Sequence, residues 1–166
     1  MSVFINLKEK MKDLFVKENI YLLSLSIIIF FIDRISKAKI IKNFSDAPYY
    51  VNEYINLNLI WNIGIGFGFL STNSNLIYNL ITLLIGTVML VLVYLFIVSE
   101  KIDKFIYAII IGGALGNFYD RVVYKAVPDY IDVHYNNFHW FTFNVADIFI
   151  TIGILIFFLR SFFIKY

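Results

Sequence analysis

The 166-residue chain contains no cysteine and only two histidines, and only 16% of its residues are charged. Without cysteine there is no disulfide, no thiolate nucleophile and no Cys-containing zinc site. His134 and His139 are not spaced as an H-E-x-x-H pair and sit in an aromatic stretch, where packing is the expected role; no metal or organic cofactor is expected. The net charge of +2 is spread along the chain without a basic tract, which argues against nucleic acid as a partner. Soluble domains are about 25% charged. The shortage of charge here is matched by 60% hydrophobic and 19% aromatic residues, the composition of an integral membrane protein.

In lipid the backbone must satisfy its own hydrogen bonds, and the long apolar runs choose helices over a closed barrel. We expect an all-α membrane protein of one domain over residues 1–166. Four transmembrane helices are predicted at about 20–41, 75–98, 105–123 and 143–163, with a charged loop from Ser99 to Lys104. Residues 1–18 mix Lys8, Lys10, Lys12 and Lys17 with acids and apolar residues and read as an interfacial helix. The apolar run Ile20 to Ile32 leads into Asp33, Arg34 and Lys37 instead of a small-residue cleavage site, so this start is expected to be retained.

Between the first two spans, Ile55 to Leu59 alternates apolar and polar residues, and Gly64, Gly66 and Gly68 alternate with Ile65, Phe67 and Phe69. This predicts a small sheet over residues 43–73. Residues 124–142 read as irregular or extended, with a turn at Asn136-Asn137. Lys8, Lys10, Lys12, Lys17, Lys101, Lys104, Arg160 and Lys165 flank the face that holds the termini, against Arg34, Lys37, Lys39, Lys42, Arg121 and Lys125 on the other. The positive-inside rule then places both termini in the cytoplasm and the sheet outside.

The third span carries Gly112 and Gly116 one turn apart, a face on which a second helix can approach closely, and continues into Asn117, Asp120 and Arg121. Ionisable residues at the mouth of a membrane helix are costly, so a functional site is the default reading. Asn144, Asp147 and Thr151 share a face of the fourth helix. Asn144 with an acid three residues later resembles a capping box, a purely structural explanation for Asp147. The company of Asn117, Asp120, Arg121 and Asp129 at the same membrane edge favours a second one, in which two carboxylates share a proton. Asp33 and Lys37, four apart in the first helix, could neutralise each other or support that site. Ser36 and Lys37 are adjacent and point apart, a poor Ser-Lys dyad. Carboxylate chemistry remains, although the same acids could relay protons in a small transporter or fix helix packing in an assembly factor.

Five motifs occur in order: Asp33 to Lys37; Asn62, Gly64 and Phe67; the block from Gly112 to Arg121 that reads GGALGNFYDR; the acid of VPDYI; and FNVAD, ending at Asp147. Together they resemble the lipoprotein signal peptidases, or signal peptidase II. The resemblance implies an aspartic endopeptidase of the bacterial cytoplasmic membrane that cuts signal peptides from prolipoproteins just before a diacylglyceryl-modified cysteine. It implies Asp129 and Asp147 as the catalytic pair, with Asp129 on an extracytoplasmic loop; spacing alone does not prefer Asp129 to Asp120. Asn117, Arg121 and Asn144 match positions that orient substrate or the pair, and Asn62, Gly64, Asp33 and Lys37 match supporting ones. Asp120 is then a supporting acid, with neighbouring Arg121 as its expected counter-charge. The expected partners are prolipoprotein signal peptides and membrane lipids, and the segment from Val51 to Leu70 is expected to cover the scissile peptide. The chain departs from the family pattern at Arg34, Trp61 and Pro128.

Overall fold

A computed structural model of the chain describes residues 16–64, 74–136 and 138–163. Among these residues four helices and four strands follow in the order α1 Lys17–Asn43, β1 Tyr49–Asn52, β2 Ile55–Asn62, α2 Asn75–Val98, α3 Lys101–Val123, β3 Val127–Tyr135, β4 Phe138–Phe143 and α4 Val145–Phe163. α1, α2 and α4 are long and apolar enough to cross a membrane. Their outward faces carry exposed leucine, isoleucine and phenylalanine, among them Leu76, Leu90 and Phe158. Such a surface suits hydrocarbon, not water.

α3 is the hub. It packs against α1, α2 and α4, and its middle from Ile106 to Gly113 is buried throughout. Glycine makes this possible. A methyl group on Gly112 would stand 2.8 Å from Ile29 Cβ and from the Ser26 carbonyl of α1, and one on Gly116 would collide with the Asp33 carboxylate. Gly113 performs the same service toward Ala146 and Ile150 of α4. The small-residue face predicted from Gly112 and Gly116 is therefore the seat of α1. The charged loop predicted over residues 99–104 is shorter than expected, because α3 already begins at Lys101. Asp103 in its first turn is favourable to the helix dipole.

The sheet differs from the expectation of an element confined to residues 43–73. Asn43 still belongs to α1, and β1 and β2 are joined by β3 and β4 from the second connection. The result is a four-stranded antiparallel sheet in the order β1-β2-β3-β4. Residues 127–130 are buried on both sides of the strand, which erases the alternation that would have announced β3. Asn136, at positive φ (51°), makes the predicted turn between β3 and β4. Trp61 and Pro128, two of the departures from the family pattern, are cross-strand partners in the register of β2 and β3. The Trp61 ring also packs against Tyr124. β2 and β3 touch α1, and β3 touches α3, so the sheet sits on the ends of these two helices. Of the interfacial helix expected over residues 1–18, Lys17 and Glu18 belong to α1, while residues 1–15, like Gly66, Phe67 and Gly68 of the glycine-alternating ribbon, lie outside the described residues.

Candidate active site

Asp129 is not on a loop: it is a residue of β3, opposite Ile60 of β2. Burial would leave its carboxylate without water, and two amides replace the lost hydrogen bonds. Asn62 Nδ2 donates to Oδ2 at 2.9 Å and Asn144 Nδ2 to Oδ1 at 2.6 Å. Burial nevertheless pushes the Asp129 carboxyl up to about 6, with the nearby negative charge of Asp147 adding to the effect and the two amides opposing it.

Asp147 stands at the third position of α4. Its Oδ2 accepts the Asn144 backbone N–H at 3.1 Å, while its own N–H donates to Asn144 Oδ1 at 3.1 Å. That reciprocal pair is a capping box, so the structural explanation for Asp147 holds. It is not the whole of it. Oδ1 of the same carboxylate accepts from Asn117 Nδ2 of α3 at 2.8 Å. Asn144 thus ties both acids together, capping the helix with one end of its amide and holding Asp129 with the other. Asp147 also opens into an apolar cleft of about 260 Å³ lined by Phe141, Phe143, Ile148, Thr151 and Ile152.

Behind the pair lies a buried charge cluster. Lys37 Nζ reaches Asp33 Oδ2 at 2.8 Å, Asp120 Oδ2 at 2.7 Å and Asn117 Oδ1 at 2.8 Å, and Lys37, Asp33 and Asp120 are completely buried. Asp33 Oδ1 accepts the Ala146 N–H at 3.0 Å, adding a second cap to α4 from another helix. Arg34 completes the cluster by pairing with Asp120 Oδ1 and lying over the Tyr119 ring, 4.8 Å from its centroid. Two cations and two anions leave the cluster neutral.

This geometry corrects one expectation. The counter-charges of Asp120 are Arg34 and Lys37, not Arg121. Adjacent residues on a helix point in different directions, and Arg121 turns toward the sheet side, where Nη2 donates to the Gly64 carbonyl at 3.0 Å and Nη1 to the Asn117 carbonyl at 3.2 Å. Asn62 closes the same corner by accepting the Gly64 N–H at 2.8 Å. The sequence-derived residues therefore converge in two connected groups. Asp129, Asp147, Asn62, Asn117 and Asn144 form one, and Asp33, Lys37 and Asp120 the other, with Arg121 and Gly64 bracing the junction. Two participants were missed. Arg34 was noted only as a departure from a pattern, and the Tyr78 hydroxyl, which donates to the Arg121 carbonyl at 3.0 Å, carries no local signal at all. The histidines stay apart from this site. Their rings pack 5.3 Å apart, with His139 Nδ1 2.7 Å from Asp132 Oδ2.

Apolar helices capped by a sheet that presses one aspartate toward a second on a helix N-terminus define a polytopic membrane protein in which a buried and a half-buried carboxylate are joined through one asparagine. A family model described as Signal peptidase (SPase) II matches residues 25–163. The chain is 47% identical over 141 residues to the lipoprotein signal peptidase of Pelagibacter ubique (strain HTCC1062), covering 82% of this chain and 85% of that one. To the lipoprotein signal peptidase of Francisella tularensis subsp. novicida (strain U112) it is 39% identical over 119 residues, 69% and 74% of the two chains. Two solved structures, each described as a bacterial membrane enzyme determined by the in meso method, superimpose with a TM-score of 0.70. They are 27% and 25% identical, covering 86% and 87% of this chain and 87% and 94% of theirs. The chain belongs to the signal peptidase II family of membrane aspartic peptidases.

Proposed function

We propose that Asp129 and Asp147 are the catalytic pair of a peptidase that removes signal peptides from prolipoproteins, cutting before the diacylglyceryl-modified cysteine. The observation that carries the reading is the double engagement of Asn144, which holds Asp129 through Nδ2 and Asp147 through Oδ1 and N–H. Asp129, the more buried acid and raised to about 6, serves as the proton donor; Asp147, half-buried beside the cleft, acts as base. Asp147 takes a proton from a water whose oxygen adds to the scissile carbonyl carbon, while Asp129 gives its proton to the carbonyl oxygen. Collapse of the tetrahedral intermediate breaks the C–N bond: the proton gathered by Asp147 leaves with the amine, and one hydroxyl of the intermediate returns its proton to Asp129 as the new carboxyl forms. Asn62, Asn117 and Asn144 keep the carboxylates oriented, and Asp33, Lys37, Asp120 and Arg121 hold the frame.

α3 is the fourth span. Its 23 residues extend about 34 Å, enough for the hydrocarbon core, and three neighbouring helices surround it. Its mean hydropathy is lowered by the polar residues at its two ends. The sheet end faces outward and the termini lie in the cytoplasm of a bacterial inner-membrane protein. Of the six cations assigned to the sheet side, Arg34 and Lys37 are neutralised by acids and Arg121 is buried against carbonyls, leaving Lys39, Lys42 and Lys125 exposed. On the terminal side Lys101 and Arg160 are paired with acids as well, so the orientation rests on the count of cations along the sequence. The substrate's apolar signal segment enters from lipid, with β2 and β3 over the scissile bond. Purified protein in detergent should cleave a diacylglyceryl-modified peptide before its modified cysteine, as read by mass spectrometry. Proton flux in vesicles without cleavage would overturn the reading in favour of a transporter.

A further inference from the structure

We infer that Lys37 is a positioning residue for the carboxylate pair: by occupying Asn117 Oδ1 it locks that amide with Nδ2 toward Asp147, completing a shell made of hydrogen-bond donors only. The inference rests on the reading of Asp129 and Asp147 as the catalytic pair and adds how their proton is kept available.

The argument starts from what each group can do. An ammonium has three donors and no acceptor, and a backbone N–H only donates. Lys37 Nζ at 2.8 Å therefore obliges Asn117 to present its oxygen there, and the NH₂ end is left for Asp147 at 2.8 Å. Two other amides are locked in the same way. Asn144 Oδ1 takes the Asp147 N–H, turning Nδ2 to Asp129. Asn62 Oδ1 takes the Gly64 N–H, again turning Nδ2 to Asp129. With the Asn144 N–H on Asp147, every group bonded to either carboxylate among the described residues is a donor. Among the described residues, a proton on one of these acids then has no acceptor in the shell. It can pass only to the other carboxylate, to water or to a substrate carbonyl, which are the transfers that peptide hydrolysis requires.

Of the three locks, two are backbone N–H groups and one is a side chain. Without Lys37, Asn117 can rotate by 180° and offer Oδ1 to Asp147, where it either repels the ionised acid or traps a proton on it. Both outcomes favour a protonated Asp147 that cannot act as base. The cation is buried at this depth because Gly116, lacking a side chain, leaves room for the Asp33 carboxylate that pairs with it.

The readout is the pH profile of kcat/KM on a lipidated peptide, since a merely structural lysine would lower turnover without moving a limb. Besides Lys37, the ionisable groups near the pair are Tyr130 of β3, Asp33 of α1, and Asp120 and Arg121 of α3. To keep the charge cluster neutral, Lys37→Met is made together with Asp33→Asn and compared with Asp33→Asn alone. The acid limb should rise by about one pH unit, with roughly tenfold lower kcat/KM below it. The rise should vanish when Asn117→Ala is added to both proteins, because the lysine then has no amide to hold. An unmoved limb, or a shift that persists without the amide and so reports a direct field, overturns the inference. Should the Lys37 variant not fold, Asn117→Asp keeps the lysine contact and replaces the donor at Asp147; an unmoved limb there overturns it equally. Turnover retained by Asp147→Asn would sink the catalytic pair itself, whereas inactive pair variants with unmoved limbs sink only the role of Lys37.

Discussion

At one end of the bundle Lys101 meets Glu18 at 2.8 Å with 79% and 59% of the two side chains exposed, and Arg160 pairs with Asp103 beside a cleft of about 960 Å³. At the other end Lys37 meets Asp33 and Asp120 at 2.8 and 2.7 Å with none of the three exposed. Residue types and distances match; what the pairs can do differs. An exposed pair exchanges water for a screened contact and orients nothing else. A buried pair must have all its polar atoms placed, because taking ions out of water costs several kcal/mol each. That requirement leaves Lys37 with a donor to spare for Asn117, and through it for Asp147. In the larger cleft, at the exposed end, Lys101 and Arg160 are matched by acids, and Lys104 donates to Asn19 Oδ1 at 3.2 Å.

The largest expected effect lies at the buried end. Asp129→Asn and Asp147→Asn should each lower kcat by at least about 10³-fold, the scale of a lost acid or base. The thermal midpoint in detergent should stay level or rise, since a neutral isostere relieves like charge at a desolvated site. If Asp147→Asn instead lowers the midpoint sharply and the folded enzyme keeps its turnover, the capping box is the entire role of Asp147.

Next in size is Asp120→Asn, which leaves Arg34 and Lys37 with Asp33 as their one remaining acid. An uncompensated buried cation costs about 3 to 5 kcal/mol, so activity should fall in step with folded protein. Adding Arg34→Gln restores neutrality and should recover much of the midpoint. Recovery by Arg121→Gln in place of Arg34→Gln would show that the counter-charges have been misassigned.

These acids also show how far the sequence could be read. The outer helices were legible because lipid selects long apolar runs, and α2 falls on the predicted bounds of residues 75 and 98. Asn144 and Asp147 were legible as a helix start, and Gly112 and Gly116 as a contact face. The partner of Asp120 was not, since Arg34 lies 86 residues away and no local pattern encodes that distance. Asp129 could not be told from Asp120 by spacing, because the distinction lies in what surrounds each one. Amides from β2 and the start of α4 meet Asp129, and cations from α1 meet Asp120. The segment carrying Asp129 read as irregular or extended, without a choice between them, because a strand buried on both faces has no period.

A third prediction uses pH on the same contrast. The Asp129 carboxyl is raised from 3.8 to about 6 in the folded protein, so between those values the folded state keeps a proton that the unfolded state has lost. Stability from this group is present below about pH 4 and lost as pH rises through 6, a change of about 3 kcal/mol. Asp129→Asn does not titrate there. The variant should therefore gain over the wild type at pH 7.5 and lose that advantage at pH 4. An advantage independent of pH would mean that the buried carboxyl does not hold its proton.

The smallest effect belongs to the exposed end. Glu18→Ala and Lys101→Ala remove one partner each from a pair that water already solvates, so each should change stability by less than about 1 kcal/mol, and less again at high salt. Turnover should be unchanged, because among the described residues no hydrogen bond leads from either side chain toward Asn117 or the carboxylates. The coupling energy read from the double variant should be no more than about 1 kcal/mol, the scale of an exposed pair. The measurement is the thermal midpoint in detergent at low and high salt, beside turnover of a lipidated peptide. A loss of several kcal/mol from either single change would show that the pair is desolvated in the membrane-bound protein, and the contrast between the two ends would then be one of degree.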